Sequence, residues 1–136
     1  MIFSMKNMVI LYIIRFMKGY NIMERLMEFF KIMSDETRLR TMMLLNNEKL
    51  CVCEICEILD ISQPKISRHL AKLRDMGFVI DKRQGQWIFY ELNLYDDAMK
   101  NILDDIDKNI DKYPNIKRDR YKLDANIKSY YEIRYR

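Results

Sequence analysis

Residues 51–77 read C-V-C-E-I-C-E-I-L-D-I-S-Q-P-K-I-S-R-H-L-A-K-L-R-D-M-G, and the fold is decided there. The first part, about Cys51 to Leu59, is a short apolar helix that stops at Asp60 and Ile61. Ser62 then offers an N-cap oxygen, and Pro64 suits a first helical turn because its missing N–H has no partner there anyway. Ile66, Leu70 and Leu73 recur at helical spacing to form a buried stripe. Gly77 ends the second helix in the left-handed conformation that glycine adopts most cheaply. Two short helices across so tight a turn are the signature of a helix-turn-helix.

Working outward, Val79–Arg83 and Gln86–Leu92 are rich in β-branched and aromatic residues and flank Gln84-Gly85, so they are expected to pair as a β-hairpin. Lys82 and Arg83 fall near its tip, which makes the hairpin a wing able to touch a nucleic-acid backbone. Upstream, Asn21 and Glu24 form a capping pair for a helix bearing Leu26, Phe29, Phe30 and Met33. Ser34 or Asp35 caps the next helix, which runs through Leu39, Met42 and Met43 to Asn46 and Asn47. Downstream, Ala98, Ile102, Ile106 and Ile110 recur at steps of four, flanked by Met99 and Leu103, while Asp104, Asp105, Asp107 and Asp111 take the wet side. Such a stripe needs a cover, and in a chain this short a second copy is the expected one. Pro114 is expected to close this helix. Leu123, Ile127 and Tyr131 can line one more short helix beyond it.

The expected architecture is therefore mainly α with a small β-hairpin: a dimeric winged helix-turn-helix over residues 21–113. Residues 114–136 follow as a basic, tyrosine-rich tail. The chain has 136 residues, 49% hydrophobic and 32% charged, with 3 Gly and 2 Pro, which excludes collagen-like and low-complexity classes and favours one helix-rich domain. The apolar run Met8–Ile14 is too short to span a bilayer, and no small-residue cleavage site follows it. Residues 1–20 read as a misassigned leader, with the native start at or near Met23, or as an extra dimer-packing helix. Without an export signal or membrane anchor the expected location is the cytoplasm, where thiols stay reduced. With 1 His and no glycine-rich loop, acid–base and phosphate-transfer chemistry have no home, so no enzyme is expected.

The net charge of +4 is unevenly placed: residues 62–90 carry 6 basic and 2 acidic side chains, and 91–111 carry 2 and 7. A basic segment between acidic ones suits phosphate contacts. Burying Ile66, Leu70 and Leu73 leaves Gln63, Lys65, Ser67, Arg68 and Lys72 outside. Gln can pair with adenine, Arg with guanine, and Lys and Ser with phosphate, so double-stranded DNA is the expected partner. His69 is assigned to the same face.

All 3 cysteines, Cys51, Cys53 and Cys56, lie within six residues. A disulfide framework would spread them along the chain, so a single thiol site is the better reading. At about 100° per residue, Cys53 and Cys56 stand about 60° apart on a helix, whereas Cys51 stands about 140° from Cys56. The three sulfurs meet only if Cys51 precedes the helix or the first turn unwinds, so ligation is coupled to the helix that begins the DNA-reading motif. Three thiolates without a nearby His or fourth Cys suit a three-coordinate soft ion better than tetrahedral zinc. Cys53-Glu54-Ile55-Cys56 is also a C-x-x-C, which keeps a thiol redox site open, although the βαβ context of such sites is missing.

The stretch from about Phe30 to Asn93, about half of the chain, resembles the ArsR/SmtB family of winged-helix metal-responsive repressors. The resemblance rests on F-K-I-M-S-D-E-T-R-L-R, L-C-V-C-E-I-C, S-Q-P-K-I-S-R-H-L-A-K-L-R-D-M-G and G-Q-W-I-F-Y-E-L-N. Within the family, C-V-C with a third Cys three positions on is similar to the arsenical-resistance repressors. That resemblance implies a homodimer that occupies the operator of its own resistance operon and releases it when arsenite or antimonite, As(III) or Sb(III), is bound by thiolates. Cys51 and Cys53 would be the essential ligands and Cys56 the third. Gln63, Ser67, Arg68 and His69 would lie in the recognition helix, and Lys82 and Arg83 in the wing. No cofactor is implied for DNA binding itself. The related zinc sensors place His and Asp ligands on the last dimer helix, but residues 94–111 contain no His. A cadmium or lead sensor using the same thiols, and a thiol redox regulator, are the alternatives.

Overall fold

The computed structural model describes residues 9–10, 13, 21–94 and 96–134, with side chains through residue 127. The expectations for the 1–20 leader and for the Tyr131 side chain fall outside the described residues. The chain forms two compact units, Met1–Lys31 and Ile32–Arg136. In the first, the Asn21 side chain accepts the Met23 N–H at 3.0 Å, an N-cap for α1 (Ile22–Met33). Arg25 and Glu28 pair one turn apart at 3.4 Å on the same helix.

The second unit holds α2 (Glu36–Leu45), β1 (Leu50–Cys51), α3 (Val52–Leu59), α4 (Gln63–Asp75), β2 (Val79–Gln84), β3 (Trp87–Leu92), α5 (Asp97–Lys108), a 3-10 turn (Ile110–Lys112) and α6 (Pro114–Arg134). It is mainly helical with a small three-stranded antiparallel sheet in the order β1-β3-β2. Leu50 lies opposite Tyr90 and Cys51 opposite Phe89, while β2 runs against β3 from Val79–Leu92 to Gln84–Trp87. Ile55, Ile66, Leu70, Leu73 and Phe78 are fully buried, so α3, α4 and the root of the hairpin share one core.

The helix ends follow from their residues. Asp35, not Ser34, caps α2, its carboxylate accepting the Arg38 N–H at 3.0 Å. After α4, Gly77 takes φ +75 and lets the Phe78 N–H reach the Leu73 carbonyl at 2.9 Å while its own N–H reaches Arg74 at 2.8 Å. That pair of bonds is a Schellman motif, and it turns the chain directly into β2. The wing closes over Gly85-Gln86, one residue later than Gln84-Gly85, because Gly85 at φ +62 is needed at the first central position of the two-residue turn.

Three expectations change in detail. The sheet has a third strand, β1, because two residues suffice to pair with the free edge of β3. The helix carrying the expected dimer stripe ends at Lys108, so Ile110 belongs to the 3-10 turn and Pro114 opens α6 instead of closing α5. Within the stretch expected as a tail, Pro114–Arg134 form a 21-residue helix in the same compact unit as the winged motif. Its Ile116 and Leu123 are buried. Its Asp119, with a side chain 2% exposed, takes a bidentate grip from Arg40 of α2 at 2.7 and 2.8 Å. Among the described residues, Lys117, Arg118 and Lys122 are exposed on this helix, while Arg120 is half-buried and paired with Asp107 at 2.6 Å.

Candidate nucleic-acid interface and thiol site

On α4 the apolar stripe is buried and the opposite face is wet. Gln63, Lys65, Ser67, Arg68 and Lys72 are exposed and His69 is half-buried. Among the described residues, Lys65, Arg68, Lys72 and Arg83 form no ion pair, whereas Arg74 faces Asp81 at 3.5 Å and Asp75 at 3.7 Å. Unpaired cations on an exposed helix face are available to phosphate or base edges; paired ones are less so. Lys82 and Arg83 are both exposed on β2, but Lys82 holds Glu91 across the hairpin at 2.6 Å. The His69 pKa is lowered from its ordinary 6.5, first by burial and further by Arg38, Lys65 and Arg68, with Asp35 opposing. The imidazole is therefore neutral at pH 7, one nitrogen a donor and the other an acceptor.

The thiols sit at the N-terminus of α3. Cys51 lies before the helix in extended backbone (φ −84, ψ 163), the first of the two arrangements that convergence requires. Its sulfur stands 2.7 Å from that of Cys53. Cys51 is buried, Cys56 half-buried and Cys53 exposed, which gives the cluster an open side and a closed one. No three His, Cys, Asp or Glu side chains among the described residues stand close enough to hold a metal ion as they are. Cys51 and Cys53 are brought together; Cys56 is not added to them.

Sequence reasoning missed the role of Cys51 as a helix cap. Its sulfur accepts the Glu54 N–H while the Glu54 carboxylate accepts the Cys51 N–H at 3.1 Å, a reciprocal capping box with a thiol in the place of a hydroxyl. The signal was present in C-V-C-E, which has the spacing of S/T-x-x-E. Burial pushes the Cys51 thiol far above its usual pKa, and hydrogen bonding to Cys53 and Glu54 adds to this. Burial also raises the Cys56 thiol, with the Cys53 charge contributing. At the far end of α3 the Cys56 carbonyl accepts the N–H groups of Asp60 and, at 3.2 Å, Ile61. Asp60 itself takes the left-handed conformation, φ 55, that lets the chain turn into α4. One residue of the thiol cluster therefore anchors the turn of the helix-turn-helix.

The model of the bacterial regulatory proteins of the arsR family matches residues 35–81, which span the α2 cap, the thiols, α4 and the start of the wing. The chain belongs to the arsR family. It is thus a member of a family of DNA-binding transcription regulators and not of enzymes. It is 54% identical over 67 residues to the arsenical resistance operon repressor of Escherichia coli K12, covering 48% of this chain and 57% of that protein. The repressor of the same description from Bacillus subtilis 168 is 36% identical over 75 residues, 54% of this chain and 70% of that one. Among solved structures, reduced HlyU of Vibrio cholerae N16961 aligns with a TM-score of 0.59 at 28% identity, covering 69% of this chain and 95% of that one. Against the arsenic-resistance regulators it matches above 50% identity, this arsR-family chain spans 51 to 58% of their length. Among the described residues, no helix is long and apolar enough to cross a membrane.

Proposed function

We propose that this arsR-family chain is a metalloid-responsive repressor that holds double-stranded operator DNA as a homodimer in the cytoplasm and releases it when trivalent arsenic or antimony binds Cys51, Cys53 and Cys56. The observation that carries this reading is the placement of α3. Its N-cap is a thiol 2.7 Å from a second thiol, and the carbonyl of the third cysteine holds the turn into the exposed basic face of α4. Arsenite as As(OH)₃ exchanges three hydroxides for three sulfurs, each hydroxide leaving as water with one thiol proton. Soft sulfur donors favour such a centre over hard cations. Drawing Cys51 and Cys56 to one atom rearranges α3 and displaces the turn that presents α4.

In this reading Gln63 and Arg68 read base edges, and Lys65, Ser67, Lys72, Lys82 and Arg83 contact phosphate. His69 supplies a neutral hydrogen-bonding group at the same face. The half-open row of α5, Ala98, Ile102 and Ile106 with Ile110 just beyond, packs against a second copy. DNA binding itself requires no cofactor. The similarity to arsenical resistance repressors supports arsenic or antimony over cadmium or lead, and the unjoined Cys56 fits ligand-driven rearrangement better than a redox pair.

The test is a titration of operator-bound protein with arsenite, cadmium, lead, zinc and peroxide, alongside Cys51→Ser and Cys56→Ser. Arsenite is expected to release the wild type, while Cys51→Ser binds operator normally and does not respond. Release by cadmium but not arsenite overturns the named inducer, and release by peroxide alone overturns metalloid sensing.

A further inference from the structure

Cys51 and Cys53 are together at the first turn of α3 and no third ligand joins them among the described residues, so gathering three sulfurs requires a movement there or at Cys56. What holds that turn is the capping box, in which one Glu54 oxygen accepts the Cys51 N–H at 3.1 Å. The other oxygen of the same carboxylate accepts the Nδ2 hydrogen of Asn126 at 3.1 Å, from α6 and 72 residues away in sequence. The C-terminal helix is itself fixed to α2 by the buried Arg40–Asp119 pair and by Leu123 in the core. It therefore presents Asn126 from a rigid base. Both oxygens of Glu54 are occupied in the capped state, one by the thiol residue's backbone and one by α6.

We propose that Asn126 is a positioning residue that sets the inducer threshold: by holding the Glu54 carboxylate it keeps Cys51 in its capping role, and an inducer must break that hold to gather three sulfurs. The inference rests on the thiols being the inducer site. It adds that α6, which lies outside the 35–81 family match, opposes induction. A hydrogen bond to a charged group is a bond of the stronger kind, so its loss shifts an equilibrium measurably. Because inducer and α6 compete through one two-state element, the capped turn, their coupling is a defined free energy and not a matter of distance.

The experiment uses the full chain bound to a fluorescent operator duplex and titrated with arsenite, with release followed by anisotropy and thiolate–arsenic absorbance followed separately without DNA. Asn126→Ala is expected to halve operator occupancy at roughly three- to tenfold less arsenite than the wild type, with operator affinity before arsenite unchanged. Asn126→Lys, which faces Glu54 with an ammonium, is expected to shift the midpoint to more arsenite. It also provides a second reading should the alanine variant fold poorly. In a Glu54→Ala background, Asn126→Ala is expected to do nothing further. Unchanged midpoints in both Asn126 variants, or the same shift with Glu54 absent, overturns the proposal. A full arsenite response in Cys51→Ser overturns the thiol reading itself, whereas an unresponsive Cys51→Ser beside unmoved Asn126 variants overturns only the role of Asn126.

Discussion

His69 carries the chain's only imidazole, and its surroundings on α4 favour the neutral form. Burial and the nearby Arg38, Lys65 and Arg68 lower its pKa from 6.5 against the opposing pull of Asp35. Since the unfolded chain takes up this proton more readily, folding stability rises with pH through this window and is lost as pH falls below about 6.5. Urea midpoints at pH 7.5 and 5.5 are expected to drop more for the wild type than for His69→Gln; an equal drop removes His69 as the cause. The half-burial of this side chain was not legible from a lone His in a helix. The cysteines were more legible. Spacing alone required Cys51 to leave the helix or the turn to unwind, and extended backbone at Cys51 answers the requirement. That Cys51 also caps the helix was hidden because a thiol is not among the usual N-cap side chains.

At the scale of elements, periodicity placed α4, its buried Ile66, Leu70 and Leu73, and the wing strands, because each is a local pattern of apolar spacing closed by Gly77 and Gly85; Ser62 holds the N-cap position of α4, but its side chain makes no capping hydrogen bond. It did not place β1, since two residues have no periodicity and pair only because the edge of β3 is there to receive them. Nor did it place the depth of α6, whose polar composition reads as a solvated tail until Asp119 is seen inside the protein with its partner Arg40. That pair is a testable tie between α2 and α6. Asp119→Ala leaves the Arg40 guanidinium buried without a counter-charge and is expected to cost about 3 kcal/mol or more in chemical denaturation. Replacing both, as Arg40→Met with Asp119→Leu, is expected to recover most of the loss, because an apolar pair of similar size avoids the desolvation cost altogether. A double variant no better than the single one would refute this account.

For the molecule as a whole, α5 carries the proposed contact with a second copy. Met99 and Leu103 are buried within it, while Ala98 is exposed and Ile102, Ile106 and Ile110 are half-buried. The span from Ala98 to Ile106 sets an apolar row along about two helical turns, bordered by aspartates, a shape suited to its own copy across a twofold axis. Ile106→Glu is expected to shift the protein towards monomer in sedimentation equilibrium and to weaken operator binding, since each half-site is then held alone. A dimer of undiminished strength would place the contact elsewhere.

The wing carries a last consequence. Lys82 is engaged with Glu91 at 2.6 Å across the hairpin, while its neighbour Arg83 has no such partner among the described residues. For Lys82, approach to a phosphodiester is an exchange of one anion for another: the carboxylate must be rehydrated as the phosphate is taken up, and little is gained on balance. Arg83 makes no such exchange. Two adjacent cations of equal formal charge are thus unequal in what they offer an incoming anion: Lys82 would have to give up Glu91 as its resident counter-ion, and Arg83 would not.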